Sequence, residues 1–339
     1  MTFHEQTSST PEWTPGILGG DFPETVIDLG RDPDGEGDVV ATVIKYAPPG
    51  ERGADFTRRP AVLWVHGMSD YFFHEHVARV IHDAGYAFYA VDLRKCGRSR
   101  REGQRWHHVR DMSLYDVDLD ATAALILGEG HPGLSPLAHS TGGLVAALWL
   151  DGLRERNPVM HAKIPGAVLN SPWLDLQYPR MQRAVVKLAA KVMARRAPDR
   201  LTPDKGLGGY GQSIYKGAKG DWDFDVTLKP VEGHVKSWSW LNAVLVAQRR
   251  VHRGIEVGVP CLVLHSDRSA VNADWSPAID TADAVLDVEQ IARRTRCLGR
   301  GARNRAIPGA RHDVFLSKDH ARGHALSETI LFFDSVNGR

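Results

Sequence analysis

Short β-branched or aromatic runs of about five residues recur along this chain, and helix-period stretches follow most of them. That alternation packs a largely parallel sheet between two layers of helices. Runs at 61–65, 87–92, 134–138 and 165–169 are almost wholly apolar, as expected of strands covered on both faces. The intervening stretches 75–83, 114–127 and 144–154 carry apolar residues at helical spacing, and the first of these stops at Gly85. After Pro260 the alternation resumes, with strands at 261–265 and 304–307 and helices at 285–294 and 321–336. Two earlier strands, 25–29 and 38–46, are joined by Gly- and Asp-rich turn material too short for a parallel crossover, so they must run antiparallel.

The rhythm breaks once. Between residues 175 and 253 helical segments (180–196 and 238–250) flank a Gly- and Trp-rich loop, and this reads as a cap inserted after the sixth strand. The predicted organisation is a flexible tail over 1–20, a core made of 21–174 and 254–339, and a cap or lid over 175–253. Residues 177–253 hold 15 Lys or Arg against 6 Asp or Glu, within a chain whose formal net charge is only +1. A chain so balanced overall offers no electrostatic reason to bind nucleic acid, whereas the basic cap is suited to peripheral contact with an anionic membrane surface. No apolar stretch is long enough to cross a bilayer, and the polar N-terminus lacks the features of a secretory signal. Three scattered cysteines, Cys96, Cys261 and Cys297, suit reduced thiols in the cytoplasm.

The chemistry is concentrated at Ala138-His139-Ser140-Thr141-Gly142-Gly143, where a strand runs directly into a helix through a small-x-Ser-x-Gly pattern. A turn so tight exposes a serine hydroxyl above the sheet, as a nucleophile requires. The first position is Ala138 rather than glycine. Attack on a carbonyl creates an oxyanion, and two backbone N–H groups are placed to receive it: Thr141, after the serine, and Met68, in the turn His66-Gly67-Met68 that ends the third strand. The base must follow in a loop past the last strand, and His312 in Gly309-Ala310-Arg311-His312-Asp313 occupies that place. The orienting carboxylate belongs after the strand 261–265, where Asp267, Asp274, Asp280, Asp283 and Asp287 compete. Asp283 is the first choice, with Asp287 and Asp267 as alternatives.

With Val65-His66-Gly67-Met68, the segment from Val91-Asp92-Leu93-Arg94 through Lys95-Cys96-Gly97-Arg98-Ser99, the elbow at Ser140, and Gly309 to Leu316, the chain resembles the α/β-hydrolase superfamily. The similarity is to its serine aminopeptidase, monoacylglycerol lipase and lysophospholipase branch, and it spans Pro60 to the C-terminus. The resemblance implies an α/β-hydrolase fold with a helical cap and no cofactor or metal. It also implies a serine hydrolase acting on carboxylic esters through an acyl-serine. Peptidase, thioesterase or acyltransferase activity on the same residues is the alternative, and a non-catalytic ligand-binding protein of this fold is the alternative of another class. The family's acid motif is matched by Asp283-Ala284-Val285-Leu286-Asp287 only after an extra segment from Ser266 to Ala282; at the usual distance from the strand stands Ser269. His139 and the cap's Trp222, Phe224, Trp238, Trp240 and Leu241 are expected to line the pocket for a small acyl ester. The loop from Asp92 to Ser99 is expected to be structural, and Cys96 a buried small hydrophobe.

Overall fold

A computed structural model describes residues 11–50, 53–203, 206–271 and 274–339. Its strands are β1 (Thr14–Gly16), β2 (Gly19–Arg31), β3 (Asp38–Tyr46), β4 (Ala61–Val65), β5 (Ala87–Asp92), β6 (Leu134–His139), β7 (Ala167–Asn170), β8 (Cys261–Ser266) and β9 (Ala302–Ile307). They form one sheet in the order β1-β2-β3-β5-β4-β6-β7-β8-β9. The first three strands meet antiparallel, as does β3 against β5, and every later pairing is parallel. The expected hairpin is therefore present, with β2 longer than the apolar pattern indicated.

The predicted tail needs correction where the structure describes it. Residues 1–10 lie outside the described residues, but Thr14–Gly16 already pairs with β2, and Gly19 and Gly20 begin β2 itself. A Thr-Pro-Gly strand has no period to read, so only its partner reveals it.

Alternate residues of each central strand face opposite helical layers. Val62 and Trp64 join Phe88, Leu137, Val168 and Leu264 under the helices Glu75–Asp83 and Asp319–Asn337. Leu63 and Val65 join Tyr89, Ala138, Leu169 and Val263 beneath Leu114–Gly128, Thr141–Arg156 and Val288–Thr295. This two-sided burial explains the near-continuous apolar runs.

The strand order reverses at the centre, where β4 leads toward β5 on one side while β6, beside it, leads toward β7 on the other. The carboxyl ends of β4 and β6 thus open a crevice at a topological switch point, the place where open α/β sheets bind ligands. The turn after β4 and the serine after β6 are brought together there by the register Val65 opposite Ala138.

Between β7 and β8 the strand–helix alternation is interrupted. That segment contains the helices Arg180–Arg196, Gly208–Ile214 and Trp238–His252. The last of these is built into the main core: Trp240, Val244 and Val251 are buried with the residues of the Thr141–Arg156 helix. Among the described residues no helix is long and apolar enough to cross a membrane.

Candidate active site

Ser140 sits between β6 and the helix Thr141–Arg156 at φ 53° and ψ −116°, a left-handed backbone that non-glycine residues rarely adopt. The turn is tight enough to require its glycines. A Cβ at Gly142 would lie 2.2 Å from the carbonyl oxygen of His66, and one at Gly143 2.7 Å from the side chain of Pro172. Ala138, in contrast, is fully buried with its methyl group in the core, so the departure from glycine at that position is accommodated.

The Ser140 hydroxyl lies 3.0 Å from His312 Nε2, and His312 Nδ1 lies 2.9 Å from Asp283 Oδ2. With Nδ1–H donating to the carboxylate, Nε2 is left to accept from the serine. His312 is held by its neighbour: the guanidinium of Arg311, wholly buried, donates to Leu316 O and to Asp280 Oδ1, and its backbone N–H donates to Ser317 Oγ.

Asp283 reaches His312 by a detour. The extra segment after β8 returns so that Ser269 and Asp283 pair as a short parallel bridge, with Ala270 N–H donating to Asp283 O and Asp283 N–H to Arg268 O. Asp283 therefore stands beside Ser269. Its Oδ1 accepts from the N–H groups of Val285 and Leu286 at 2.8 and 2.7 Å, and its side chain is fully buried. The other candidate acids are engaged elsewhere. Asp287 caps the helix Val288–Thr295 by accepting from Glu289 and Gln290 N–H, Asp267 accepts from Gly309 N–H, and Asp280 binds Arg311. Asp274 lines the cavity.

Met68 and Thr141 face the same cavity as Ser140, and among the described residues no protein acceptor takes either backbone N–H. Gly67 permits the approach, since its α-carbon stands close enough to Ser140 that a Cβ would lie 3.1 Å from the serine Cβ. His66 fixes the base of this turn: Leu93 N–H donates to its Nε2 at 3.0 Å, so its Nδ1–H donates to Gly67 O at 2.7 Å.

The cavity measures about 450 Å³. Of the expected lining residues, His139, Trp238 and Leu241 are present, whereas Trp222, Phe224 and Trp240 are not. Trp222 stacks on His76 and donates to Leu316 O, and Phe224 packs on Phe73 and Tyr215. Trp240 lies one face round the helix from Trp238 and Leu241, buried against Trp173 and His107. Aromatic content signalled a wall, but helical phase decides which side faces the ligand.

Several lining residues carry no local sequence signature. Asp70 and Lys229, 159 positions apart, form a buried ion pair at 2.8 Å in the cavity wall. Burial pushes the Asp70 carboxyl up, but the charge of Lys229 and the nearby His74, His139 and His66 outweigh it and hold it below its ordinary range. Two neighbours extend this clasp: Ser69 Oγ accepts from His234 N–H, and Tyr71 Oη accepts from Asp225 N–H, each at 2.8 Å. Three consecutive residues after Met68 are thus each bonded to the segment 225–234. Only the position of Asp70, two places beyond Met68, was available as a signal.

The loop from Asp92 to Ser99 is structural, as expected. Asp92 accepts from Phe72 and Arg98 N–H groups, Arg94 is paired with buried Asp118, and Ser99 Oγ ties Asp92 O to Thr42. Cys96 is buried, which drives its thiol well above the ordinary range.

Comparison with known proteins follows the same lines. A family model described as serine aminopeptidase, S33, matches residues 57–319. No curated protein matches the chain. Similar solved structures include a monoacylglycerol lipase from Paleococcus ferrophilus, 20% identical, covering 82% of this chain and 96% of that one with a TM-score of 0.61. A soluble variant of monoglyceride lipase from Saccharomyces cerevisiae, in complex with a substrate analogue, is 14% identical over 98% of this chain and 96% of that one, TM-score 0.58. Est1E from Butyrivibrio proteoclasticus with bound ferulic acid is 15% identical over 92% of this chain and all of that one, TM-score 0.55. At such identities these likenesses carry the fold, while the family match spans most of the chain. The chain belongs to the serine aminopeptidase (S33) family of α/β-hydrolases.

Proposed function

We propose that this hydrolase cleaves carboxylic esters through an acyl-serine intermediate, with Ser140 as nucleophile, His312 as base and Asp283 as its orienting carboxylate. The observation that carries the reading is the unbroken relay from Ser140 Oγ through both nitrogens of His312 to Asp283, opening into the cavity. In the first step His312 Nε2 takes the hydroxyl proton as Ser140 Oγ bonds to the carbonyl carbon, and the carbonyl electron pair moves onto oxygen. Met68 and Thr141 N–H groups receive that oxyanion, the second from the start of a helix whose dipole favours negative charge. Collapse of the intermediate breaks the ester C–O bond, and the imidazolium returns its proton to the departing alkoxide. Water repeats the sequence on the acyl-enzyme, releasing the acid and restoring Ser140. Asp283, held by two backbone N–H groups, keeps the imidazole in the required tautomer and balances its charge in both steps.

The cavity favours an ester with an apolar portion. Trp173, Leu176, Val186, Trp238, Leu241 and Leu286 supply apolar wall, and Asp70, Tyr210 and Lys229 are among its polar groups. The unpaired thiols of Cys96, Cys261 and Cys297 fit a reducing compartment, and we place the protein in the cytoplasm on that ground.

A fluorophosphonate probe tests the nucleophile: wild type should be labelled and Ser140→Ala should not. An unlabelled wild type would remove the serine-hydrolase reading. Initial rates on p-nitrophenyl esters of rising chain length, beside aminoacyl amides and thioesters, test the substrate class; a higher kcat/KM on the amides or thioesters would replace ester hydrolysis with those reactions.

A further inference from the structure

The helix Arg180–Arg196 carries apolar residues on two faces. Val186, Ala190 and Met193 turn toward the protein, Ala190 being buried and Val186 lining the cavity. Met181, Val185, Leu188 and Val192 follow one another at spacings of four, three and four, which places them in a single stripe on the opposite face. They are 83, 67, 65 and 37% exposed. Isolated surface apolar residues are ordinary, but a continuous stripe is not. Of the thirteen exposed large apolar side chains among the described residues, seven lie between Met181 and Val235.

Three of these seven stand next in the chain to residues that line the cavity. Exposed Val185 adjoins Val186 in the chain, exposed Leu201 adjoins Thr202, and exposed Val235 adjoins Lys236; the second residue of each pair lines the cavity. Leu201 and Val235 come from two strands of chain held together, since Leu201 bridges Ser237 and Thr202 N–H donates to Lys236 O. Exposed apolar side chains of two segments thus stand next in the chain to residues of the cavity wall.

The helix's charge identifies the partner. The helix contains Arg180, Arg183, Lys187, Lys191, Arg195 and Arg196 and no acidic residue. Arg183 and Lys187 reach Asp175 on the inner side. Among the described residues Arg180, Lys191, Arg195 and Arg196 have no ion-pair partner, and helical phase sets Lys191, Arg195 and Arg196 along the two borders of the stripe. Long cationic side chains flanking an apolar stripe reach phosphate groups while the stripe enters the acyl boundary. We propose that this face docks the protein on an anionic lipid surface. This goes beyond the assignment of the reaction and does not depend on it.

Sedimentation of the full chain with vesicles tests the surface, using phosphatidylcholine mixed with phosphatidylglycerol in one arm and phosphatidylcholine alone in the other. Wild type is expected to sediment with the mixed vesicles and to leave them as salt is raised. Val185→Ser/Leu188→Ser and Lys191→Gln/Arg195→Gln/Arg196→Gln should each weaken that binding about tenfold or more. Both should keep wild-type melting and wild-type rates on a soluble short-chain ester, because the altered side chains project into solvent. Wild type remaining in the supernatant with both vesicles overturns the proposal, as does equal binding to neutral vesicles. So does a wild-type dimer that Val185→Ser/Leu188→Ser splits with no vesicle binding, which would make the stripe an interface between copies. Loss of fluorophosphonate labelling would count against the reaction and leave this result untouched.

Discussion

Two buried His–Asp pairs stand back to back in this molecule, and the adjacent residues His312 and Asp313 contribute one member to each. His312 Nδ1 meets Asp283 at 2.9 Å and its other nitrogen meets Ser140 at the cavity. Asp313 Oδ2 meets His74 Nε2 at 2.8 Å, but the ring of His74 packs tilted against Trp64 and Phe73, and among the described residues its Nδ1 has no partner. Asp313 Oδ1 accepts in addition from Asn170 Nδ2 and Phe315 N–H. Burial pushes the Asp313 carboxyl up, yet the charges of His139 and His74 and the bonds from His74 and Asn170 prevail and hold it far below its ordinary range. A His–Asp contact alone therefore has no chemistry. What separates the two is where the second imidazole nitrogen ends: at a half-buried serine facing a cavity, or among aromatic rings.

The sharpest way to break this comparison is to exchange the burden between the carboxylates. Asp283→Asn keeps an acceptor for Val285 and Leu286 N–H but turns an amide toward His312, so the ring presents the wrong tautomer. A fall of about 10⁴ in kcat is expected with melting close to wild type. Asp313→Ala leaves His74 Nε2, Asn170 Nδ2 and Phe315 N–H unpaired in the interior, a loss of about 3 kcal/mol or more in stability. Its kcat per fluorophosphonate-titrated site should fall far less than that of Asp283→Asn. Denaturant titrations and active-site-normalised rates on the two variants check this; a near-normal rate for Asp283→Asn would sink the assignment of the acid.

The same contrast shows what could be read in the sequence. Ser140 and His312 were legible because their signals are local, a strand ending in a small-residue turn and a loop past the last strand. The central strands were legible because burial on both faces makes them near-continuous apolar runs. Asp283 remained one of several acids, since the segment 266–282 separates it from its strand and only the Ser269–Asp283 bridge restores its place. Thr14–Gly16 had no pattern to find. Trp222, Phe224 and Trp240 were assigned to the cavity from their type alone, and the clasp between Asp70 and Lys229 spans 159 positions with nothing in either segment to announce it.

His139 lies between the two pairs and sharpens their difference as a function of pH. Its ring centroid is 4.9 Å from that of His312, its Nε2 is 3.9 Å from Asp313 Oδ2, and its Nδ1–H donates to Asn170 O at 3.2 Å. Burial is the chief cause that pushes its imidazole down to about 4, with the His312 charge adding to it and Asp313 opposing. The unfolded chain, with an ordinary histidine near 6.5, binds more protons than the folded one between those values. Stability therefore rises with pH through that window and is lost as pH falls from about 6.5 toward 4. The contribution of His139 between about pH 7 and pH 5 is on the order of 2 kcal/mol. Urea titrations at both pH values should show a smaller pH-dependent loss for His139→Gln than for wild type by that amount; an identical loss would mean that His139 does not carry its burial into the folding equilibrium.

A third buried carboxylate, Asp70, extends the comparison to a partner that is not histidine. Its bond to Lys229, with those of Ser69 to His234 and Tyr71 to Asp225, ties the chain just beyond Met68 to the segment 225–234. Ser69 stands at φ 54°, so this turn holds a backbone conformation that needs outside support. Lys229→Met should therefore let the Met68 N–H drift, lowering kcat about tenfold while KM changes about twofold or less. Lys229→Arg, which can still reach Asp70, should recover part of the rate. A boronic acid that draws on the oxyanion donors should weaken in step with kcat/KM, because it adds the same tetrahedral demand. If KM rises instead and boronate affinity holds, Lys229 binds substrate directly, and the clasp is then part of the pocket rather than a support for the oxyanion turn.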